Sequence, residues 1–272
     1  LLLHAGLGLR AFWRRRHLRI PLVEMAQLVL GLSIPLLLIF HAAAVRYAHT
    51  IYDLPIGFDR VLYQLWVVSP DFGAPRQTLL MIVVWLHGCI GMRNWLRTWP
   101  WYATAVPALT AAATLLPVLA ILGFVNAGLD MQALAQANPA LLPAHVVDVP
   151  GSEQARRFGE VGRVVDGLAL GYVALLGGII ALRAARDWHS ARFRALRITY
   201  PGGRVVTVPI GFSVLEASRW AGIPHASVCG GRGRCSTCRV DIVAGGDGLP
   251  EPASEEHKLL ERIGAPPSVR LA

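Results

Sequence analysis

The chain has 272 residues, 54% of them hydrophobic and 16% charged, with a mean hydropathy of +0.47. That is too apolar for a soluble globular protein of this length, and the composition is that of a membrane protein with a soluble tail. The net charge of +9 is not a nucleic-acid signal, because the positive residues are almost all arginines set beside apolar segments. That placement orients a chain in its principal partner, the lipid bilayer.

Leu1 to Leu9 reads as the inner end of a transmembrane helix whose earlier part, and a helix before it, are expected upstream. Four further spans are expected at about Pro21–Val45, Thr78–Leu96, Trp101–Val125 and Val164–Ala185, each close to the ~20 residues that cross ~30 Å of hydrocarbon. Arg10, Arg14, Arg15, Arg16 and Arg19 lie between the first two segments. Arg93 and Arg97 lie between the third and fourth, and Arg183, Arg186, Arg192, Arg194 and Arg197 follow the last. Strict alternation puts all three groups on one side, and the positive-inside rule makes that side the cytoplasm, hence an inner-membrane protein with a cytoplasmic tail. The outer connections, Arg46–Gln77 and Asn126–Arg163, carry Asp53, Asp59, Asp71, Asp130 and Asp148, and Val61–Val68 is expected to form a short amphipathic helix along the interface.

One pattern appears twice in this region. His4-Ala-Gly-Leu-Gly8-Leu-Arg10 and His87-Gly-Cys-Ile-Gly91-Met-Arg93 share the form H-x3-G-x-R. Six residues span ~9 Å along a helix, so both histidines sit at a similar depth below an arginine at the cytoplasmic interface. The glycine at i+4 lies on the histidine's own face and clears room for a flat macrocycle. A pair of histidines merely hydrogen-bonded between helices is the plainer alternative, although intramembrane histidines tend to be functional. The repeated segment resembles the b-haem helices of the succinate dehydrogenase and fumarate reductase membrane anchors. The resemblance implies axial-ligand roles for His4 and His87, haem packing on Gly8 and Gly91, propionate contacts from Arg10 and Arg93, and quinone or quinol at the membrane end. His41, ~30 Å from Pro21 near the outer face, is the candidate ligand of a second haem, with a partner upstream or in His49 or His145. An interfacial histidine without a ligand role is the competing reading. Cys89 reads as a packing residue, His17 and His189 as solvated or headgroup-facing, and His257 as part of a charged helix in the tail.

The tail has its own pattern. Ile198–Pro209 reads as two β-rich runs about a Pro-Gly-Gly turn, and Ser213 with Glu216 forms a capping box that opens a helix over Val214–Ala221. Cys229, Cys235 and Cys238 then follow as C-x5-C-x2-C within VCGGRGRCSTCRV. Gly230, Gly231 and Gly233 let that backbone fold tightly round sulfur. A second helix over Ser254–Ile263 and a closing run Ser268–Ala272 complete the chain. A Cys3His zinc site completed by His225 and three free thiols are the competing readings of the cysteines.

The order hairpin, helix, cysteine loop resembles the β-grasp [2Fe–2S] ferredoxins, in particular their adrenodoxin-like branch. The resemblance covers residues 196 to 272 and implies that Cys229, Cys235 and Cys238 bind the cluster. In those ferredoxins a fourth cysteine follows after roughly the 34 residues that separate Cys238 from the end of this sequence, just past a run such as Arg270-Leu271-Ala272. The fourth ligand is therefore expected directly after Ala272.

The expected architecture is an α-helical transmembrane bundle of about five spans, the first incomplete, followed by a small α+β β-grasp [2Fe–2S] domain lacking its C-terminal end. Residues 1–189 are the membrane domain, 190–195 a linker and 196–272 the ferredoxin-like domain. A CGGRGRCSTCRV loop behind such an anchor resembles the N-terminal half of bacterial membrane-bound class III adenylate cyclases. That resemblance implies a redox sensor linking haem, quinone and [2Fe–2S] cluster to cyclic AMP synthesis, with dimerisation if a cyclase domain follows. The alternative is a respiratory electron-transfer subunit feeding a separate reductase, and a membrane anchor with a degenerate ferredoxin is the plainest reading. No cyclase catalytic residue lies in the sequence.

Overall fold

The computed structural model describes residues 2–15, 20–97, 99–143, 145–147, 149–193, 195–231 and 233–272. Leu1, Arg16, His17, Arg19, Asp148 and Arg194, which carry sequence expectations, lie outside them. The chain divides into two compact units, one of residues 1–12 and 21–179 and the other of residues 13–20 and 180–272.

The first unit is helical. Helix α1 (Leu2–Arg14) is followed by α2 (Leu22–Tyr52), a short α3 (Phe58–Tyr63) continued by the π-turn Gln64–Val68, α4 (Gly73–Leu96), α5 (Tyr102–Ala137) and α6 (Glu153–Phe193), whose last turns belong to the second unit. Four helices, α2, α4, α5 and α6, are long and apolar enough to cross a membrane. Each covers one of the four expected spans to within a residue at its start and runs past it at one end or both, because a helix continues through polar residues until something stops it. On α2 the stop is Asp53, in the left-handed conformation with φ 52°. The expected interfacial helix at Val61–Val68 is instead folded into the bundle, with Leu62 and Leu65 buried. Trp66 lies on α5 at Gly128, where an added Cβ would come within 2.1 Å of the indole.

One proline in the long helices leaves a carbonyl that another helix satisfies, as is needed where no water is available. Pro117 has no N–H to give Ala113, four residues before it. The indole N–H of Trp85 on α4 donates to the Ala113 carbonyl at 2.8 Å. Pro35 likewise cannot donate to Gly31, and a π-turn at Ile39–Ala43 follows it in α2. The Tyr172 hydroxyl on α6 donates to the neighbouring Leu32 carbonyl at 2.7 Å. Helix α2 packs chiefly on α4. Ala48 and Leu54 form a buried core with Val161 and Val165 of α6.

The second unit holds the strands. β1 (Ala195–Thr199) and β2 (Val205–Pro209) pair antiparallel, Ile198 opposite Val206, about the turn Pro201–Gly203, where Gly202 and Gly203 take φ of 82° and 77°. Helix α7 (Val214–Trp220) opens on the expected capping box: the Ser213 hydroxyl accepts from the Glu216 N–H at 3.2 Å and the Glu216 carboxylate from the Ser213 N–H at 2.9 Å. Its Ala217 packs on Val206 and Val208. β3 (Arg239–Asp241), α8 (Ser254–Arg262) and β4 (Val269–Leu271) follow, β3 and β4 pairing antiparallel with Arg239 opposite Leu271.

Two details differ from expectation. The stretch 190–195 is helix as far as Phe193 and strand from Ala195, because no glycine or proline interrupts it. The described strands form two separate two-stranded ladders where a β-grasp would join them in one sheet; β3 and β4 are only three residues each.

Candidate metal centres

The cysteine loop is built between α7 and β3. Gly230, Gly231 and Gly233 all take positive φ, 70°, 84° and 65°, which is the conformation that lets consecutive N–H groups turn toward one side. Space is also tight at position 231, where a Cβ would lie 3.1 Å from the Leu215 side chain. Thr237 ties the loop: its hydroxyl accepts from the Val228 N–H at 3.0 Å and lies 3.1 Å from the Cys235 sulfur. Its role was invisible in the spacing of the cysteines, since a threonine between two ligands reads as filler.

Cys238 is buried at 1% exposure and packs with Leu215 and Ala272. The β3–β4 ladder extends one residue further, the Ala272 N–H donating to the Cys238 carbonyl at 3.0 Å. The C-terminal run thus passes beside the cysteine loop. Burial pushes the Cys238 thiol up, opposed by the Ala272 N–H. Cys229 and Cys235 are half-buried and, like Cys238, free of disulfides.

His225 does not join them as a zinc ligand. Its Nδ1 lies 2.9 Å from the Ser218 hydroxyl and its Nε2 3.3 Å from the Cys238 carbonyl. Among the described residues no three His, Cys, Asp or Glu side chains are grouped to hold a metal ion. The donor set, three thiols on a glycine-rich loop, fits a cluster of iron and sulfide better than one zinc ion, because a cluster spreads its four ligands over two irons.

In the first unit, the structure brings His4 and His87 together, ring centroids 6.0 Å apart and planes at 77°. The His87 Nδ1 is 3.2 Å from the Gln27 carbonyl on α2. A proton on Nδ1 satisfies that carbonyl and leaves the Nε2 lone pair to bind a metal. Gly31, one turn along α2, makes room for the ring, for a Cβ there would be 2.8 Å from His87 Cε1. At Gly91 a Cβ would lie 3.3 Å from the Gln27 side-chain nitrogen, whereas at Gly8 it would meet nothing within 4 Å. The Gln27 side-chain oxygen is buried without a hydrogen-bond partner. Arg10 and Arg93 are exposed. Two neighbouring imidazoles set edge to face, His87 held through Nδ1 and His4 exposed, are the donor pair the structure offers to the expected haem. Gln27 and Gly31 were missed by the sequence reading because they lie on a third helix.

His41 is joined by neither His49 nor His145. It sits in the π-turn of α2 and lines a cavity with Arg76 and Gln77 of α4, while His49 is exposed and His145 pairs with Asp59 at 3.0 Å.

Comparison with known proteins bears on the tail. Residues 199–262 match the family described as "2Fe-2S iron-sulfur cluster binding domain". The chain is 34% identical over 62 residues to a "2Fe-2S ferredoxin" of Haemophilus influenzae (strain ATCC 51907 / DSM 11121 / KW20 / Rd), a stretch covering 23% of this chain and 55% of that protein. The chain thus spans about half the length of the curated relative it matches. No solved structure matches it. The C-terminal region is a [2Fe–2S] ferredoxin-like electron-transfer domain, preceded by a helical region with four helices apolar enough to span a membrane.

Proposed function

We propose that the protein is a membrane redox module in which a b-type haem held by His4 and His87 communicates with a [2Fe–2S] cluster bound through Cys229, Cys235 and Cys238. Bound there, the two groups supply reversible one-electron chemistry; the chain's own residues bind, orient and insulate them. Gln27 holds His87 in the tautomer that leaves Nε2 free, and Gly31 sets how far the ring can approach α2. Thr237 and the glycine turns hold the cysteine loop in shape. Arg93 and Arg97 flank one end of α4, and the positive-inside rule makes that end cytoplasmic in a bacterial inner membrane.

The observation that carries this reading is the 6.0 Å approach of two histidines from repeated H-x3-G-x-R segments in a chain whose tail matches the ferredoxin family. The resemblance of the anchor and loop to bacterial class III adenylate cyclases makes the module a sensor that sets cyclic AMP synthesis by a cyclase domain, working as a dimer, in response to the quinone pool. A respiratory subunit feeding a separate reductase is the second reading, favoured by the curated relative being named a ferredoxin.

The test is spectroscopic, on full-length protein purified anaerobically from membranes. A low-spin, bis-histidine b-type spectrum and a [2Fe–2S] EPR signal on reduction are expected, the first lost in His87→Ala and the second in Cys235→Ser. Stoichiometric zinc in place of iron, or an unchanged haem spectrum in His87→Ala, overturns the assignment. Cyclic AMP output that ignores quinol, dithionite and oxidant alike removes the sensor reading and leaves electron transfer.

A further inference from the structure

Nine arginines lie in two short segments, Arg14, Arg15, Arg16 and Arg19 at the end of α1 and Arg183, Arg186, Arg192, Arg194 and Arg197 from the last turns of α6 into β1, against one acid, Asp187. Far apart in sequence, the two segments belong to one compact unit. Arg186 ties them together. Its guanidinium donates to the Trp13 carbonyl at 2.7 Å and to the Arg15 carbonyl at 3.3 Å, and lies 5.0 Å from the centroid of the Trp13 ring. Carbonyls at a helix C-terminus have no donor within the helix, and a guanidinium supplies one. Asp187 is taken up close by, 2.7 Å from Arg186 and 3.4 Å from the buried Arg183. Arg14, Arg192 and Arg197 are exposed, and among the described residues no carboxylate pairs with any of them. Two tryptophans stand beside them, Trp188 at 64% exposure and Trp13 at 38%, with the Arg192 guanidinium 5.9 Å from the Trp188 ring.

We propose that this junction binds the phosphate of an anionic phospholipid, bridging the end of α1 and the last turns of α6. The proposal rests on the membrane reading of the long helices and on neither the haem nor the cluster assignment. Charge carries it first. Arginines that merely orient a helix stand apart in water, screened from one another beyond ~10 Å. Here two like-charged segments are drawn into contact, and the one carboxylate they supply is already shared between Arg183 and Arg186. An anion set between them offsets the repulsion that remains. Geometry narrows the anion. Neither segment contains a lysine, and the planar guanidinium fork meets phosphate oxygens in pairs where an ammonium offers a point charge. Depth narrows its source. Trp188 lies three residues past Ala185, the end of the expected span, hence ~4.5 Å farther along the helix, in the headgroup layer where exposed indoles settle. A lipid phosphate sits at that level, whereas a phosphate in solution gains nothing from two exposed tryptophans. The place also matters to the tail. Helix α6 runs to Phe193 and β1 starts at Ala195, so a lipid held here holds the helix that leads into the ferredoxin-like domain.

The experiment uses the full-length protein in lipid nanodiscs and reads the quenching of its tryptophan fluorescence by brominated phosphatidylglycerol against brominated phosphatidylcholine, with total bromine held constant. Stronger quenching by the anionic lipid is expected, fading as salt is raised. Each basic side chain near an anionic surface contributes about fivefold to the attraction, so Arg14→Gln combined with Arg192→Gln should cut the preference roughly tenfold or more. Both side chains are exposed, so the melting temperature of that double variant in neutral lipid should match the parent's. Trp188→Phe should remove much of the difference in quenching between the two lipids. The His87→Ala variant should behave as the parent, so failure of the haem reading leaves this result standing, whereas a chain that does not enter nanodiscs at all removes the membrane reading and this proposal with it. Equal quenching by the two lipids, a preference undiminished in the double variant, or displacement of the lipid by millimolar inorganic phosphate each overturns the proposal.

Discussion

Replacing Gly31 by Ala tests whether His87 is positioned for a metal or merely packed. The added Cβ would stand 2.8 Å from His87 Cε1 and 3.3 Å from Nδ1, where carbon–carbon contacts settle at ~3.5–4.0 Å. The ring must therefore retreat by ~0.7 Å or more, and a retreat in that sense stretches the 3.2 Å contact between Nδ1 and the Gln27 carbonyl past hydrogen-bonding range. Losing that bond costs ~1 kcal/mol, while alanine in place of helical glycine returns about as much. Global stability should thus change little even though the imidazole moves. The expected result is an unaltered melting temperature in detergent with a diminished or partly high-spin b-type spectrum and a shifted midpoint potential. A variant with the full low-spin spectrum and an unchanged potential would refute the reasoning, since 0.7 Å is far more than iron–nitrogen bonding tolerates.

Trp85→Phe should destabilise the helical unit by ~1–3 kcal/mol, because it strands the Ala113 carbonyl that Pro117 leaves open; adding Pro117→Ala, which restores the helix's own N–H, should recover most of that loss in thermal unfolding, and a double variant no better than Trp85→Phe alone would dismiss the account. Thr237→Val should speed loss of visible absorbance from the cluster on exposure to air or chelator, since it removes the group that holds Val228 and Cys235 in place. For Glu256, burial favours the neutral acid, but hydrogen bonds from Arg270 and the Leu271 N–H outweigh it and hold the carboxyl below its usual pKa of 4.5. A depressed folded-state pKa means that this stabilisation is complete above the unfolded value and is lost as pH falls through the folded one. Acid unfolding of the tail, followed by tryptophan fluorescence, should therefore contain a component below pH 4.5 that disappears in Glu256→Gln; an identical acid limb in both proteins would contradict it.

What was legible in the sequence was whatever short-range spacing encodes. The capping box at Ser213 and Glu216, the Pro-Gly-Gly hairpin and the apolar lengths of α2, α4, α5 and α6 each depend on neighbours within a few turns, and the structure has all of them. The ligand candidates were legible for the same reason, because C-x5-C-x2-C and H-x3-G-x-R are local patterns. Misjudged were the lengths of helices at the polar ends, where nothing local says stop, and the fate of Val61–Val68, whose Trp66 looks interfacial until Gly128 on α5 is seen to receive it. The glycine that admits a ring and the ring itself are 62 residues apart in sequence, so no window could pair them.

The groups that orient the candidate ligands follow the same division. His87 announces itself through its repeat, but its tautomer is set by a backbone carbonyl at Gln27 and its distance by a missing side chain at Gly31. Neither can be read as a functional residue type, since every residue has a carbonyl and glycine has no chemistry of its own. Ala113 and Trp85 repeat the relation, with a proline creating a need on one helix that an indole on another meets. In a membrane such a need cannot be passed to water, and here a partner on another helix answers it. Substitutions confined to the histidine and cysteine motifs would consequently find the atoms that bind and miss those that aim them. Gly31 and Gln27, which carry no motif, are where changes should alter potential and spin state while leaving the fold intact.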